Sequence, residues 1–227
     1  DLRPPRAHPD APREAPSSSS ALREGPSSSA LREGPSSSAR PAAAILLIGG
    51  TRAQRVAVHG TDALALVGLI AMVAFFDWVA VAVFAAVLGG LVLVRLLRVP
   101  GLLQAALSVG LQAAAWASAL AWYERYWWAD VLAHFAVTGL LAAAAAHPMR
   151  RAGLIPAGFG ARGRWGVWIA TTCLGTTLAV VWEIAEWVGY VLVDPTIHVA
   201  PGDTVGDLAA GVLGSAIAGL LLARSRR

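Results

Sequence analysis

The stretch that decides the fold is Ala63–Leu97, ALALVGLIAMVAFFDWVAVAVFAAVLGGLVLVRLL, in which Asp77 and Arg95 are the only charged residues. A helix that crosses a membrane needs roughly 17–25 mostly apolar residues, so this stretch is too long for one crossing. Asp77 interrupts it near the middle. We therefore predict one helix that ends near Phe76 and a second over Val79–Leu97.

Further apolar stretches on the C-terminal side are also long enough to span a bilayer. They are Leu102–Trp122, Ala129–His147, Trp165–Val193 and Thr204–Ala223. The first helix reaches a full crossing only if it begins near Val56. The sequence thus predicts an all-α fold, a polytopic transmembrane bundle of about six helices over residues 56–225.

The composition of the whole chain agrees with a membrane protein. Of its 227 residues, 56% are hydrophobic and only 14% are charged, whereas soluble domains carry about 25% charged residues. The net charge of +4 is supplied by arginines between apolar stretches that form no single basic face. We therefore expect membrane lipid as the partner and no nucleic acid.

The first forty residues have a different composition. In the segment 1–41, the nine-residue unit SSSALREGP occurs at Ser18–Pro26 and again at Ser27–Pro35. Repeats rich in Ser, Pro and Gly cannot bury enough apolar surface to offset their ordering entropy. We predict a disordered tail, with a cytoplasmic interaction arm as the alternative.

The arginines predict the orientation, because loops on the cytoplasmic side of a membrane are enriched in basic residues. With six helices and a cytoplasmic N-terminus, every arginine near a span except Arg125 falls on the cytoplasmic side. These are Arg52, Arg55, Arg95, Arg98, Arg150, Arg151, Arg162, Arg164, Arg224, Arg226 and Arg227. All basic residues are Arg and none is Lys, which together with the high Ala and Gly content is typical of a GC-rich bacterial genome. We predict a multi-pass protein of the bacterial plasma (inner) membrane with both termini in the cytoplasm.

Aromatic residues at one end of the predicted bundle are expected to lie at the outer membrane interface. They are Trp122, Tyr123, Tyr126, Trp127 and Trp128. The last helix carries another pattern, since Gly206, Ala210, Gly214 and Ala218 recur every fourth residue. Small residues at this spacing let helix backbones approach closely in lipid. We expect this helix to pack tightly against its neighbours.

Ionisable residues near the predicted outer ends of three helices form pairs at helical spacing. The pairs are Asp130 with His134, Glu183 with Glu186, and Asp203 with Asp207. Residues three or four apart share one face of a helix. A charged group facing lipid costs free energy that grows towards the bilayer centre. We expect all six to converge inside the bundle as a polar site.

Five carboxylates in one pocket repel one another unless something compensates their charge. A divalent cation, shared protons or a water-filled vestibule would each do so. Oxygen ligands with a single His suit Mg²⁺, Mn²⁺ or Ca²⁺ better than a structural zinc ion. The alternative is that these acids are only solvated at the interface, with Asp203 as an N-cap and Asp207 favoured by the helix dipole.

Three sequence blocks together resemble the YjdF-like family of uncharacterised bacterial inner-membrane proteins. They are DVLAHFAVTG (Asp130–Gly139), WEIAEW (Trp182–Trp187) and GDTVGDLAAGVLG (Gly202–Gly214). A looser likeness links the chain to VanZ-like proteins. The resemblance implies a helical membrane bundle with motif residues at the six positions above, and it supplies no reaction.

Three kinds of function remain open from the sequence. The first is a cation-binding or acid/base site at the outer face that acts on an envelope lipid. The second is a structural or accessory protein with a solvated acidic vestibule, and the third is a cation- or proton-coupled transporter. The chain has no HExxH, GxSxG or GxxxxGK[ST] motif, so the sequence does not decide whether it is an enzyme.

Overall fold

The computed structural model describes residues 50–155, 160–195, 197, 199 and 201–225. The tail predicted at 1–41 lies outside the described residues. Within the described part, the helices are α1 (Arg52–Phe75), α2 (Trp78–Leu96), α3 (Gly101–Ala119), α4 (Trp122–Arg125), α5 (Trp127–Arg151), α6 (Gly160–Leu192) and α7 (Pro201–Arg224). The described residues contain no strand.

Six of these helices are long and apolar enough to cross a membrane, and α4 is a single turn. This confirms the all-α fold and the expected number of spans. Helix α1 begins at Arg52 and has 24 residues, because Thr51 caps its N-terminus in a capping box with Gln54. It therefore has the length of a full crossing, which the sequence had left open.

The division of the first apolar stretch has a local cause. The Asp77 side chain accepts a hydrogen bond from the backbone N–H of Ala80 at 2.9 Å and caps the N-terminus of α2. Asp is among the best N-cap residues because its carboxylate satisfies a backbone donor that the helix leaves free. The predicted break at Asp77 is confirmed.

The helices form two groups of three that meet along one pair. Helices α1, α2 and α3 pack against one another, as do α5, α6 and α7, and α3 contacts α5. The first group is filled by large side chains, including Met72 and Phe84, with the Trp116 ring edge-on to Phe84. The second group uses small residues instead.

Helices α5 and α7 approach each other closely. A Cβ atom added to Gly214 would collide with the backbone carbonyl of Phe135, and one added to Gly139 would lie 2.8 Å from the carbonyl oxygen of Gly214. On the other side of α7, a Cβ at Gly219 would lie 2.9 Å from the Trp168 carbonyl oxygen. The tight packing predicted for the last helix is confirmed, and it fixes the position of the residues at the start of α7.

The group formed by α1, α2 and α3 contains buried polar side chains that stabilise it through contacts within the group. The Arg95 guanidinium of α2 is ion-paired with Asp62 of α1. Gln112 of α3 donates to the backbone carbonyl of Thr61 at 2.9 Å and to the Ser108 hydroxyl at 2.9 Å. Asp62 therefore has a structural partner on the neighbouring helix.

Candidate functional site

The site lies where α5 begins, α6 ends and α7 begins. We call this end of the bundle the acidic end. Helices α5 and α7 run in the same direction, because Gly211 lies against Thr138 and Gly214 against Gly139. Helix α6 runs against α7, because Gly211 lies against Ala179 and Gly219 against Trp168. The acidic residues near these three helix ends are thereby brought to one level.

His134 is at the centre of the site. Its Nε2 atom lies 3.4 Å from Asp130 Oδ1, one turn earlier on α5, and its Nδ1 atom lies 3.7 Å from Glu183 Oε1 on α6. His134 and Glu183 are each only 9% exposed. One imidazole thus faces a carboxylate with each ring nitrogen.

Two groups of three side chains, both containing His134, have the spacing of a metal site. The first group is Asp130, His134 and Asp207, and the second is His134, Glu183 and Glu186. In each group, one ligand atom per residue lies within 4.8 Å of the others. Five of the six predicted site residues are therefore brought together, from three helices.

Two carboxylate oxygens at this site lack a hydrogen-bond partner among the described residues. They are Asp207 Oδ1 and Glu183 Oε1, both fully shielded from solvent. The Asp207 residue as a whole is 3% exposed. A buried carboxylate oxygen without a partner costs free energy because it has lost its hydration. Glu183 Oε1 faces His134 Nδ1 at 3.7 Å, whereas Asp207 Oδ1 has no donor among the described residues, so a cation or a proton donor from outside the protein would complete the site at Asp207.

Asp203 lies one turn before Asp207 on α7 and belongs to neither group of potential ligands. It is half-buried. Its negative charge is close enough to Glu183 and Asp207 to act on both carboxylates. The sequence placed Asp203 in the cluster, and the structure places it at the edge.

Tyr123 is a site residue that the sequence analysis assigned to the interfacial aromatic residues. A left-handed backbone at Ala121 (φ 55°) turns the chain into α4, and the Tyr123 hydroxyl donates to the Ala114 carbonyl of α3 at 2.9 Å. Burial, with the negative charges of Asp130 and Glu186, raises the pKa of Tyr123 above its usual range. Tyr123 thus contributes to the wall of the site on the α3–α4 side.

The other aromatic residues at this end are exposed, as expected for an interface with lipid headgroups. They include Trp122, Tyr126, Trp127, Trp128, Trp182 and Trp187. The Arg125 guanidinium lies over the Tyr126 ring, 5.6 Å from its centre. Arg125 is exposed, and neither ligand group contains a basic side chain other than His134.

The chemistry of the ligands favours a hard divalent cation. Four carboxylates and one imidazole offer mainly oxygen donors, which suit Mg²⁺, Mn²⁺ or Ca²⁺. The single imidazole favours Mn²⁺ among these, since imidazole is a poor ligand for the other two. Three protein ligands leave further coordination positions open for water or for a second ligand.

One comparison with known proteins gives a match. A family model described as "Predicted membrane protein (DUF2238)" matches residues 54–227, which include all of the site. No curated protein matches significantly, and no solved structure does.

Proposed function

The chain belongs to the DUF2238 family of predicted membrane proteins, the YjdF-like family that its motifs resemble, and on this premise we propose that it binds a divalent cation at the acidic end. The cation would present an open coordination position to the phosphate headgroup of an envelope lipid. We further propose that the acidic end faces the extracytoplasmic side of a bacterial inner membrane, with both termini in the cytoplasm.

The observation that carries this proposal is the pair of buried, unpartnered oxygens, Asp207 Oδ1 and Glu183 Oε1. A merely solvated vestibule would leave its carboxylates in contact with water, and these two atoms are shielded from it. Their negative charges lie close to those of Asp130 and Glu186, so an uncompensated cluster would be strongly unfavourable. A bound divalent cation would compensate these negative charges and supply the partner that Asp207 Oδ1 lacks.

The lipid part of the proposal rests on the surroundings of the site. Trp127, Trp128, Trp182 and Trp187 are exposed near it, and exposed Trp side chains are enriched at the headgroup level of membranes. A divalent cation held by carboxylates commonly completes its coordination with phosphate oxygens of a substrate. A lipid phosphate at that depth would reach the cation without leaving the interface.

The test is the divalent metal content of the detergent-purified protein, measured by mass spectrometry. We expect about one equivalent of divalent metal in the wild type and little in the double variant Glu183→Gln/Asp207→Asn, because both carboxylates that lack partners lose their charge. The matched control is Glu124→Gln, which removes one acid at the same end from an exposed position outside both ligand groups.

The expected result is metal in the wild type and the control and its loss in the double variant. Absence of metal from the wild type, also after incubation with Mn²⁺, would contradict a cation site and favour a structural role. Equal metal in all three proteins would place the cation elsewhere. Elution as a single species in size-exclusion chromatography verifies that the double variant is folded.

A further inference from the structure

The two potential ligand groups share His134, and this sharing limits how the site can be used. An imidazole that binds a cation does so through one nitrogen, and its other N–H normally donates to a carboxylate or carbonyl that fixes the ring. Nε2 faces Asp130 and Nδ1 faces Glu183. The site therefore holds one cation on one side of the ring, and the carboxylate on the other side orients the ring.

We propose that the cation is bound by Asp130, His134 Nε2 and Asp207, and that Glu183 accepts the Nδ1–H hydrogen bond as a positioning residue. This assignment rests on the proposed function. It divides the cluster into a ligand set from α5 and α7 and an orienting carboxylate from α6. Glu186 then lies outside the ligand set.

The two carboxylate oxygens without hydrogen-bond partners indicate on which side of the His134 ring the cation binds. Glu183 Oε1 lies 3.7 Å from His134 Nδ1, so a shift of a few tenths of an ångström gives it a hydrogen bond. Glu183 can thus be satisfied by the protein alone, with His134 protonated at Nδ1.

Asp207 has no comparable donor. Its Oδ1 atom is fully shielded and has no hydrogen-bond partner among the described residues, and it belongs only to the group that contains Asp130. A ligand from outside the protein therefore supplies the missing partner of Asp207 Oδ1. The cation therefore belongs on the Nε2 side of His134, where it also contacts the carboxylate one turn earlier on α5.

The packing of α7 supports this choice. Gly214 and Gly139 hold α7 against α5 with backbone atoms in contact, so the close packing of these two helices fixes Asp207 relative to Asp130 and His134. Rigid placement of ligands lowers the cost of assembling a metal site. The other potential ligand group, His134 with Glu183 and Glu186, depends instead on two residues of α6 in the part of the helix that leads to its end at Leu192.

The test measures Mn²⁺ affinity of single variants in detergent, by the loss of the electron paramagnetic resonance signal of free Mn²⁺. We expect Asp130→Asn and Asp207→Asn to abolish saturable binding. Glu183→Gln should weaken it about 10- to 100-fold, as loss of an orienting partner does. Glu186→Gln, the matched control from the same helix, should change the affinity less than Glu183→Gln.

Pulsed electron paramagnetic resonance with histidine isotopically labelled at Nε2 alone tests directly which ring nitrogen of His134 binds Mn²⁺. Strong coupling of Mn²⁺ to the labelled nitrogen supports the assignment, and the same coupling from Nδ1 labelling overturns it. Abolished binding in Glu183→Gln and Glu186→Gln, with retained binding in Asp207→Asn, also overturns it. A wild type that binds no Mn²⁺ contradicts the proposed function itself, which distinguishes the two failures.

Discussion

At the scale of single residues, Tyr123 is held protonated by its surroundings. Burial and nearby carboxylates raise its pKa, so the unfolded chain releases this proton above about pH 10 while the folded protein keeps it. The folded state then binds more protons, and its stability falls as the pH rises through that range. We expect the Tyr123→Phe variant to lose less stability than the wild type between neutral pH and about pH 11.

The measurement is thermal unfolding in detergent as a function of pH, with tyrosinate absorbance recorded on the folded proteins. At neutral pH the same substitution removes the hydrogen bond to Ala114 and should cost about 1 kcal/mol. Identical pH profiles for the two proteins would show that neither burial nor the carboxylates raise the pKa of Tyr123 in the folded protein.

Residue spacing in the sequence was sufficient to find most of the site and insufficient to find Tyr123. The i, i+3 and i, i+4 pairs on α5, α6 and α7 follow from helix geometry, and their cost in lipid predicts that they converge. Tyr123 sits in a run of aromatic residues whose pattern is that of an interface. Only the left-handed turn at Ala121 directs it inward, and no pattern in the sequence specifies that turn.

At the scale of helix pairs, the contact of α5 with α7 should tolerate no added atom at Gly214. The Gly214→Ala substitution places a methyl group against the Phe135 carbonyl, and we expect a loss of about 1–3 kcal/mol. Gly206→Ala on the same helix is the control, since a Cβ there meets nothing within 4 Å. Alanine at that position should be neutral or stabilise by up to about 1 kcal/mol.

Both variants are compared with the wild type by reversible unfolding in mixed micelles. Because Gly214 fixes the position of Asp207, the variant at Gly214 should also weaken Mn²⁺ binding. Equal stability of the two variants would mean that α5 and α7 can separate without cost, and the packing argument would then be wrong.

The ion pair of Asp62 with Arg95 joins α1 to α2 in the other half of the bundle. We expect Asp62→Asn to destabilise the protein by about 1.5–3 kcal/mol, because a buried guanidinium loses a charged partner. The double variant Asp62→Asn/Arg95→Gln should lose less than the sum of the two single variants. A double-mutant cycle of unfolding free energies measures this coupling, and additive losses would show that the pair contributes nothing.

The elements could be predicted from the sequence to within a few residues, because hydrophobic length alone specifies a membrane helix. The break at Asp77 followed from one charged residue in an apolar run. The pairing of helices did not follow, since apolar side chains in lipid gain little by choosing one neighbour over another. The exception is α7, whose glycines predicted a close helix contact but did not indicate that α5 and α6 are the partners.

At the scale of the whole molecule, every arginine of the described part except Arg125 lies at the end of the helices opposite the acidic site. These arginines flank the start of α1, the end of α2, the end of α5, the start of α6 and the end of α7. If the basic end is cytoplasmic, the proposed cation site takes its ligands from outside the cell membrane. The orientation therefore decides which metal pool and which lipid leaflet the site can reach.

The prediction is that single cysteines at the two ends differ in their access to a membrane-impermeant maleimide. In a Cys173→Ala background, Glu124→Cys should be labelled in intact bacterial spheroplasts. Leu154→Cys, which is also exposed but lies beyond the basic end of α5, should be labelled only after the membrane is opened. Each variant is labelled in detergent as well, which verifies that the thiol is reactive.

The reversed labelling pattern would place the acidic end in the cytoplasm and remove the proposal that the site meets the outer leaflet. It would leave the cation site itself untouched, because the buried oxygens of Asp207 and Glu183 do not depend on orientation. The experiment therefore separates where the site acts from whether it binds. With the expected pattern, a lipid phosphate in the outer leaflet becomes the ligand to test next on the Mn²⁺-loaded protein.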